Sequence, residues 1–219
     1  MRLYDATGPN PRVVRMFIAE KGIDVPTTVL VIGTGQNLTA QYLARNPFGQ
    51  VPVLETDDGT CISETLAICE YVEELYPEPS LFGRTPEQRG ETRMWARRVD
   101  LMICEPLLNS YRMSPAGWRR YRERSRLAPD GARVMREIAA QNLAWLDGQL
   151  ASREFLCGAR FTAADVLLYV MLSYGLEVGF ALDPRWHGIE NWLEAISARP
   201  SAEASIHSRV DFAEISGSI

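Results

Sequence analysis

Residues 46–78, NPFGQVPVLETDDGTCISETLAICEYVEELYPE, decide how this chain folds. VPVLE and TCIS are short runs with apolar and β-branched residues. Between them stands Asp57-Asp58-Gly59, a hairpin turn signal. From Ser63 the period changes. In SETLAICEYVEELY, Ile68, Val72 and Leu75 share one helical face. The stretch therefore reads strand, hairpin, strand, helix, with Ser63 as the expected N-cap.

Upstream, MRLYDATGPNPRVVRMFIAEKGID (residues 1–24) supplies a strand at Arg2-Leu3-Tyr4, a turn at Thr7–Asn10 and a helix expected to begin near Pro11. Val13 pairs with Phe17, and Val14 with Ile18, at i, i+4 spacing. Asn10 before Pro11 is a favoured helix start, an N-cap followed by proline at the first helical position. TTVLVI, Thr27–Ile32, reads as the second strand, and a short helix over Thr39–Ala44 follows, capped by Thr39. The order is β-α-β, a short helix, then β-β-α. One right-handed crossover plus one hairpin gives a mixed four-stranded sheet with helices packed on it.

PEPSLFGRTPEQ, Pro77–Gln88, carries the Pro and Gly of a linker. The reading is a first domain over 1–77, a linker over 78–85 and an all-helical domain over 86–219. Its first helix runs roughly from Pro86 to Tyr111, with Trp95, Val99, Met102 and Ile103 on one face and a kink expected at Pro106. Further helices are expected over about Asp130–Leu150, in FTAADVLLYVMLSY and in HGIENWLEAISARPS. FTAAD is a capping box of Thr162 and Asp165, a structural device worth roughly 1 kcal/mol or more.

Bulk composition narrows the function. The chain has 219 residues, is 46% hydrophobic and carries a net charge of -5. No basic footprint for nucleic acid is present overall. The longest apolar run, Val166–Leu176, is too short to span a bilayer, and the charged first dozen residues do not read as a signal peptide. Cys61, Cys69, Cys104 and Cys157 are dispersed, and only His187 and His207 could join them, so no zinc site is expected. Dispersed cysteines in an acidic chain point to a reducing, cytoplasmic setting.

RVVRMFIAEKGID (12–24), the opening stretch at 46–78, and FTAADVLLY (161–169), in this order and at these separations, resemble the cytosolic glutathione transferase family along essentially the whole chain. The resemblance implies a thioredoxin-like N-terminal domain that binds glutathione. It also implies a helical C-terminal domain that helps hold a second substrate, a homodimer, a role in detoxification, and no metal. Glutathione would serve as co-substrate, its thiolate attacking an electrophile. Val51 would pair with the cysteinyl unit through its main chain, as a strand edge does with a peptide. Gln50 would touch the ligand, and Val51-Pro52 would be cis. Glu64 would meet the γ-glutamyl ammonium. The Thr65 hydroxyl and the helix N–H groups would hold its carboxylate, although an N-cap and a favoured acidic first turn account for the same residues. Asn37 would hold the glycyl carboxylate, or be a solvated loop amide. Trp95, Arg98, Met102 and Tyr111 would line the second-substrate pocket, or pack.

One departure stands out. Counting back from RVVR, the family's catalytic Ser, Thr or Cys falls on Gly8, which has no side chain to donate. A free thiol has a pKa near 8.5, so the site must stabilise the thiolate by other means. Nu-class proteins carry Thr-Pro-Asn where this chain has Gly8-Pro9-Asn10. Asn10, Thr7 and helix N–H groups are then the candidate stabilisers. Tyr4 reads as packing. Two alternatives remain open: a glutathione-dependent disulfide reductase, and a non-catalytic glutathione-binding module. Arg112, Arg119, Arg120, Arg122, Arg124 and Arg126 read as a solvated face, or as a basic rim for an anionic ligand. The tail SRVDFAEISGSI (208–219) would fold over the pocket or fray.

Overall fold

A computed structural model describes residues 1–121 and 125–206. Arg122, Glu123, Arg124 and the tail 208–219 lie outside them. The described residues fall into two units: Met1–Ser80 with the segment from Arg199, and Leu81–Ala198.

In the first unit, β1 (Arg2–Asp5), α1 (Pro9–Lys21), β2 (Thr27–Val29), α2 (Ala40–Leu43), β3 (Val53–Glu55), β4 (Cys61–Ser63) and α3 (Thr65–Leu75) follow the expected order. The sheet runs β2-β1-β3-β4, with β1 and β2 parallel and the other two pairings antiparallel. Leu3, Asp5 and Leu54 are buried on the face carrying α1. Tyr4, Val53 and Tyr42 form a small cluster on the other.

Three boundaries differ from the sequence reading. Helix α1 starts two residues early: Gly8, at φ 128°, is the N-cap and Pro9 opens the helix. Only glycine holds that φ without strain. Asn10 is thus inside the first turn, not the N-cap. Strand β2 stops at Val29, because the Gln36 side chain takes the Val31 N–H (2.9 Å) and the chain then tightens into a 3₁₀ turn at Ile32–Thr34. Ser63 ends β4, and Glu64 occupies the N-cap of α3 without a side-chain cap.

The segment from Arg199, read from sequence as part of the helical domain, belongs with the first unit. It includes α10 (Pro200–Ala204). The two arginines of RVVR hold it: Arg12 donates to Ser205 Oγ (3.2 Å) and Ala202 O (3.3 Å), and Arg15 to Ser205 O (2.9 Å). Arg15 also pairs with fully buried Asp5 at 2.6 Å. Arg199 grips Glu20 through two nitrogens, at 2.8 and 2.7 Å.

The second unit is helical. It holds α4 (Pro86–Val99), α5 (Glu105–Arg112), α6 (Pro115–Tyr121), α7 (Pro129–Leu150), α8 (Ala163–Glu177) and α9 (His187–Ser197). The single helix expected over 86–111 is divided by a π-helical turn at Asp100–Cys104. Pro106 supplies no N–H, so the ladder shifts register one turn before it. Helix α6 was hidden by the arginines around it. Helix α8 is buried nearly all round and packs closely on α5, where a Cβ on Gly175 would lie 2.6 Å from a Leu107 methyl. The capping box of Thr162 and Asp165 is formed. Among the described residues, no helix is long and apolar enough to cross a membrane.

Candidate functional site

Sheet register brings three loops to one end. Tyr4 pairs with Val53, so the turn that leaves β1 (Thr7–Asn10) lies at the same end as the loop entering β3 (Gln50–Pro52). Val53 pairs with Ser63, so the turn leaving β4 (Glu64–Thr65) joins them. Every glutathione-contact and thiol-stabilising position expected from sequence, Asn37 aside, falls in these three loops.

The β3 loop is tied down from one side. Asn46 Nδ2 (2.9 Å) and the Tyr42 hydroxyl (2.7 Å) both donate to the Gln50 carbonyl. The Val51-Pro52 bond is cis, as is Glu78-Pro79, which the sequence reading did not foresee. Among the described residues, nothing bonds the Val51 main-chain N–H or C=O, so this peptide edge is open for pairing. Gln50 is exposed and Val51 half-buried.

At α3, Glu64 has φ 72°, the one non-glycine positive φ among the described residues. A non-glycine residue there costs on the order of 1–3 kcal/mol, and such strain gathers at ligand clamps. The geometry ends β4 and starts α3 with no linker between them. The Glu64 carboxylate is exposed, and the first α3 N–H groups carry no side-chain cap. An anion binds readily at such a helix start, and an ammonium beside such a carboxylate. A ligand carrying an α-amino and an α-carboxylate group together fits this pair.

At α1, the donor supply is narrower than the sequence suggested. A helix start normally offers several unbonded N–H groups. Pro9 and Pro11 have none, and the Arg12 N–H is used by Gly8 O at 3.3 Å. Within the first turn Asn10 brings the main-chain N–H that no described partner takes, together with its side-chain amide. Its side chain caps nothing, so the expected capping role is corrected. Thr7 is exposed at the turn, and Gly8 is partly covered. Gly8 has open space where a Cβ would stand, so the gap left by the missing donor is real.

Asn37 is corrected on both of its readings. It is neither a solvated amide nor a surface donor but 2% exposed, with Nδ2 donating 2.7 Å to Gly49 O. It braces the β3 loop from behind. Its Oδ1 is buried and unbonded. Tyr4 packs as expected: its hydroxyl donates 2.6 Å to Glu55. Burial, then the bond to Glu55, pushes its pKa up. Burial raises the thiol pKa of Cys61, Cys69, Cys104 and Cys157 alike, and all four are free.

The four second-substrate positions do not act as one group. Trp95 is 3% exposed and stacks on Trp145 (6.1 Å between rings), with Arg98 4.8 Å and Arg153 5.4 Å from its ring centroid. Trp95 is packing, and Arg98 covers it. Tyr111 meets Tyr174 edge-on at 6.0 Å, and Met102 is exposed on the π-helical turn. Sequence reasoning missed Tyr42 and Asn46, whose partner is a main-chain carbonyl and leaves no trace in residue identity.

The described geometry can be set beside known proteins. Residues 7–75 match the family described as glutathione S-transferase, N-terminal domain, and residues 106–200 the one described as glutathione S-transferase, C-terminal domain. The chain is 30% identical to glutathione S-transferase 2 of Saccharomyces cerevisiae, over 95% of this chain and 91% of that one. It is 31% identical to a maleylacetoacetate isomerase of Pseudomonas aeruginosa, over 86% of each. A solved glutathione S-transferase domain-containing protein from Marinobacter aquaeolei superposes with a TM-score of 0.87 at 33% identity, covering 92% of this chain and 99% of that one.

Proposed function

Because this chain belongs to the glutathione S-transferase family, we propose that it binds glutathione at the end of the sheet and activates the thiol for attack on an electrophile. The observation that carries this reading is the meeting of three open features in one register: the unbonded Val51 peptide edge, the uncapped α3 start beside Glu64, and the Asn10 donors. Val51 pairs with the cysteinyl unit. Glu64 takes the γ-glutamyl ammonium, while Thr65 and the α3 N–H groups take its carboxylate. Gln50 contacts the peptide.

The thiol then lies off the start of α1. A thiolate accepts hydrogen bonds better than a thiol, so donors aimed at it lower the pKa. Here the Asn10 main-chain N–H and side-chain amide are the chief donors, with Thr7 as an accessory. The lone pair of the thiolate sulfur attacks the electrophilic carbon, forming the C–S bond as the leaving group departs with its electron pair. Of the expected set, Met102 and Tyr111 are the residues we assign to contact with the second substrate, while Arg98 lies over the Trp95 and Trp145 rings. Arg119 and Arg126, from the arginine-rich stretch that follows α5, offer a basic rim to an anionic co-substrate. A homodimer in the cytoplasm completes the reading, and light scattering on a sizing column measures the assembly.

Thiolate absorbance of bound glutathione against pH tests the proposal. A pKa well below 8.5 that rises in Asn10→Ala supports it. A pKa that stays near that of the free thiol makes the protein a binding module, the reading Gly8 favours. Asn10 also favours a second reading, reduction of mixed glutathione disulfides. A panel of chlorinated aromatics, mixed disulfides and maleylacetoacetate separates these reactions.

A further inference from the structure

The sheet face opposite α1 holds a cleft of about 400 Å³ that the glutathione reading does not use. Arg2, Tyr4, Thr28, Leu30, Tyr42 and Arg45 are among its lining residues. Strand alternation produces it. Arg2 and Tyr4 point to one side of β1 while Leu3 and Asp5 point to the other. Register sets Thr28 beside Tyr4, and Glu55 opposite Arg2. Helix α2 is only four residues long, so it covers the Tyr4 end of this face and leaves the Arg2 end open. None of Thr7, Asn10, Gln50, Val51, Glu64 or Thr65 lines the cleft.

We propose that this cleft is a second small-molecule site, for a compact carboxylate with an apolar body, such as an aryl carboxylate. The charges point to an anion. Arg2 uses one nitrogen on Thr28 Oγ1, at 3.2 Å, and forms no ion pair among the described residues. Arg45 gives Nε to Glu55 at 3.1 Å and Nη1 to Gln41 O at 2.9 Å, and it also acts on Tyr4, so Arg2 is the principal guanidinium offered to a ligand. Among the described residues, Glu55 is the one carboxylate bonded to this group. Its Oε2 is spent on the Tyr4 hydroxyl and Arg45 together, and these two bonds keep its pKa low. Two guanidinium groups against one carboxylate leave one positive charge, in a chain whose net charge is -5. Oxygen anions suit a guanidinium with free donors.

The floor points to an apolar body. Leu30 and the edges of Tyr4 and Tyr42, which meet at 6.0 Å, form it, and the Arg45 guanidinium lies 4.8 Å from the Tyr4 ring centroid. The volume lies in the usual range of roughly 300–1,000 Å³ for small-molecule pockets. Gln36, Thr39 and Gln41 add amide and hydroxyl groups at the rim.

The test titrates the full chain with 1-naphthoate, by calorimetry and by amide chemical-shift mapping, with and without saturating S-methylglutathione. Binding that persists with S-methylglutathione present, and shifts confined to Thr28, Leu30, Thr39 and Arg45, support the site. Arg2→Gln should weaken it about tenfold, the loss of one charge-assisted contact. Arg185→Gln, on the exposed surface of the other unit, should leave it unchanged. Circular dichroism establishes that both variants fold. Absence of binding at millimolar naphthoate overturns the proposal. So does competition by S-methylglutathione, or an affinity that Arg2→Gln leaves unaltered. The glutathione reading survives each of these results.

Discussion

Replacing Asp165 separates what a helix cap does from what this cap has been recruited to do. Its carboxylate is fully buried. Oδ1 accepts the Leu156 N–H at 2.9 Å and the Trp192 indole N–H at 3.0 Å, and Oδ2 accepts the Thr162 N–H at 3.0 Å and hydroxyl at 2.9 Å. Asp165→Asn keeps an oxygen for the first pair but puts an amide against the second. The Thr162 hydroxyl can rotate, whereas its N–H cannot, so one buried donor is orphaned at about 1–3 kcal/mol. Asp165→Ala orphans three rigid donors, from the loop before α8, from its N-cap and from α9. Its cost should reach roughly 4–5 kcal/mol, the upper end for a single substitution. Urea unfolding of the three proteins at pH 7.5 reads both differences. An alanine variant no less stable than the asparagine variant would refute the shared-acceptor arrangement.

Burial pushes the Asp165 carboxyl from 3.8 up to about 6, against the lowering effect of its donors. A raised acid pKa means that the folded state keeps the proton longer, so the contribution is full below about 3.8 and is lost as pH rises through 6. The stability advantage of the wild type over Asp165→Asn should therefore shrink by roughly 3 kcal/mol between pH 4 and 7 in denaturant titrations. Tyr42→Phe removes one of two donors to the Gln50 carbonyl. It should cost about 1 kcal/mol in unfolding and raise KM for glutathione more than it lowers kcat. Arg199→Ala strips two bonds from Glu20 and should cost about 1–3 kcal/mol by thermal or urea unfolding. Burial raises the Glu20 pKa, but bonds from Arg199 and Ser201 outweigh it and leave it lowered. Stability from this pair is therefore present at neutral pH and lost as pH falls, and the variant should show a flatter acid limb.

Local patterning was enough for the strands, most helices and their order. Periodicity, the Asp-Gly turn and the capping box are all rules about near neighbours, and near neighbours are what a sequence displays. The errors cluster where a distant or main-chain partner competes. Asn37 reads from sequence as a glycyl-carboxylate contact or a solvated amide, whereas Gly49 O, twelve residues on, takes its amide. Trp95 reads from sequence as pocket lining or as packing, and Trp145 and Arg153, far along the chain, decide for packing. The RVVR arginines looked like a family marker, yet their work is to hold Ala202 and Ser205, nearly two hundred residues away.

The site divides along the same line. Short motifs and the family resemblance they carry supplied the proposed glutathione contacts, the cis Val51-Pro52 bond and the gap at Gly8. Tertiary structure decided that sheet register gathers those motifs at one end. It also decided that Glu64 is held at positive φ, and that two prolines thin the α1 donors to Asn10. Hydrogen-bond registry and backbone dihedrals depend on what lies across the sheet, and no run of neighbouring residues specifies that.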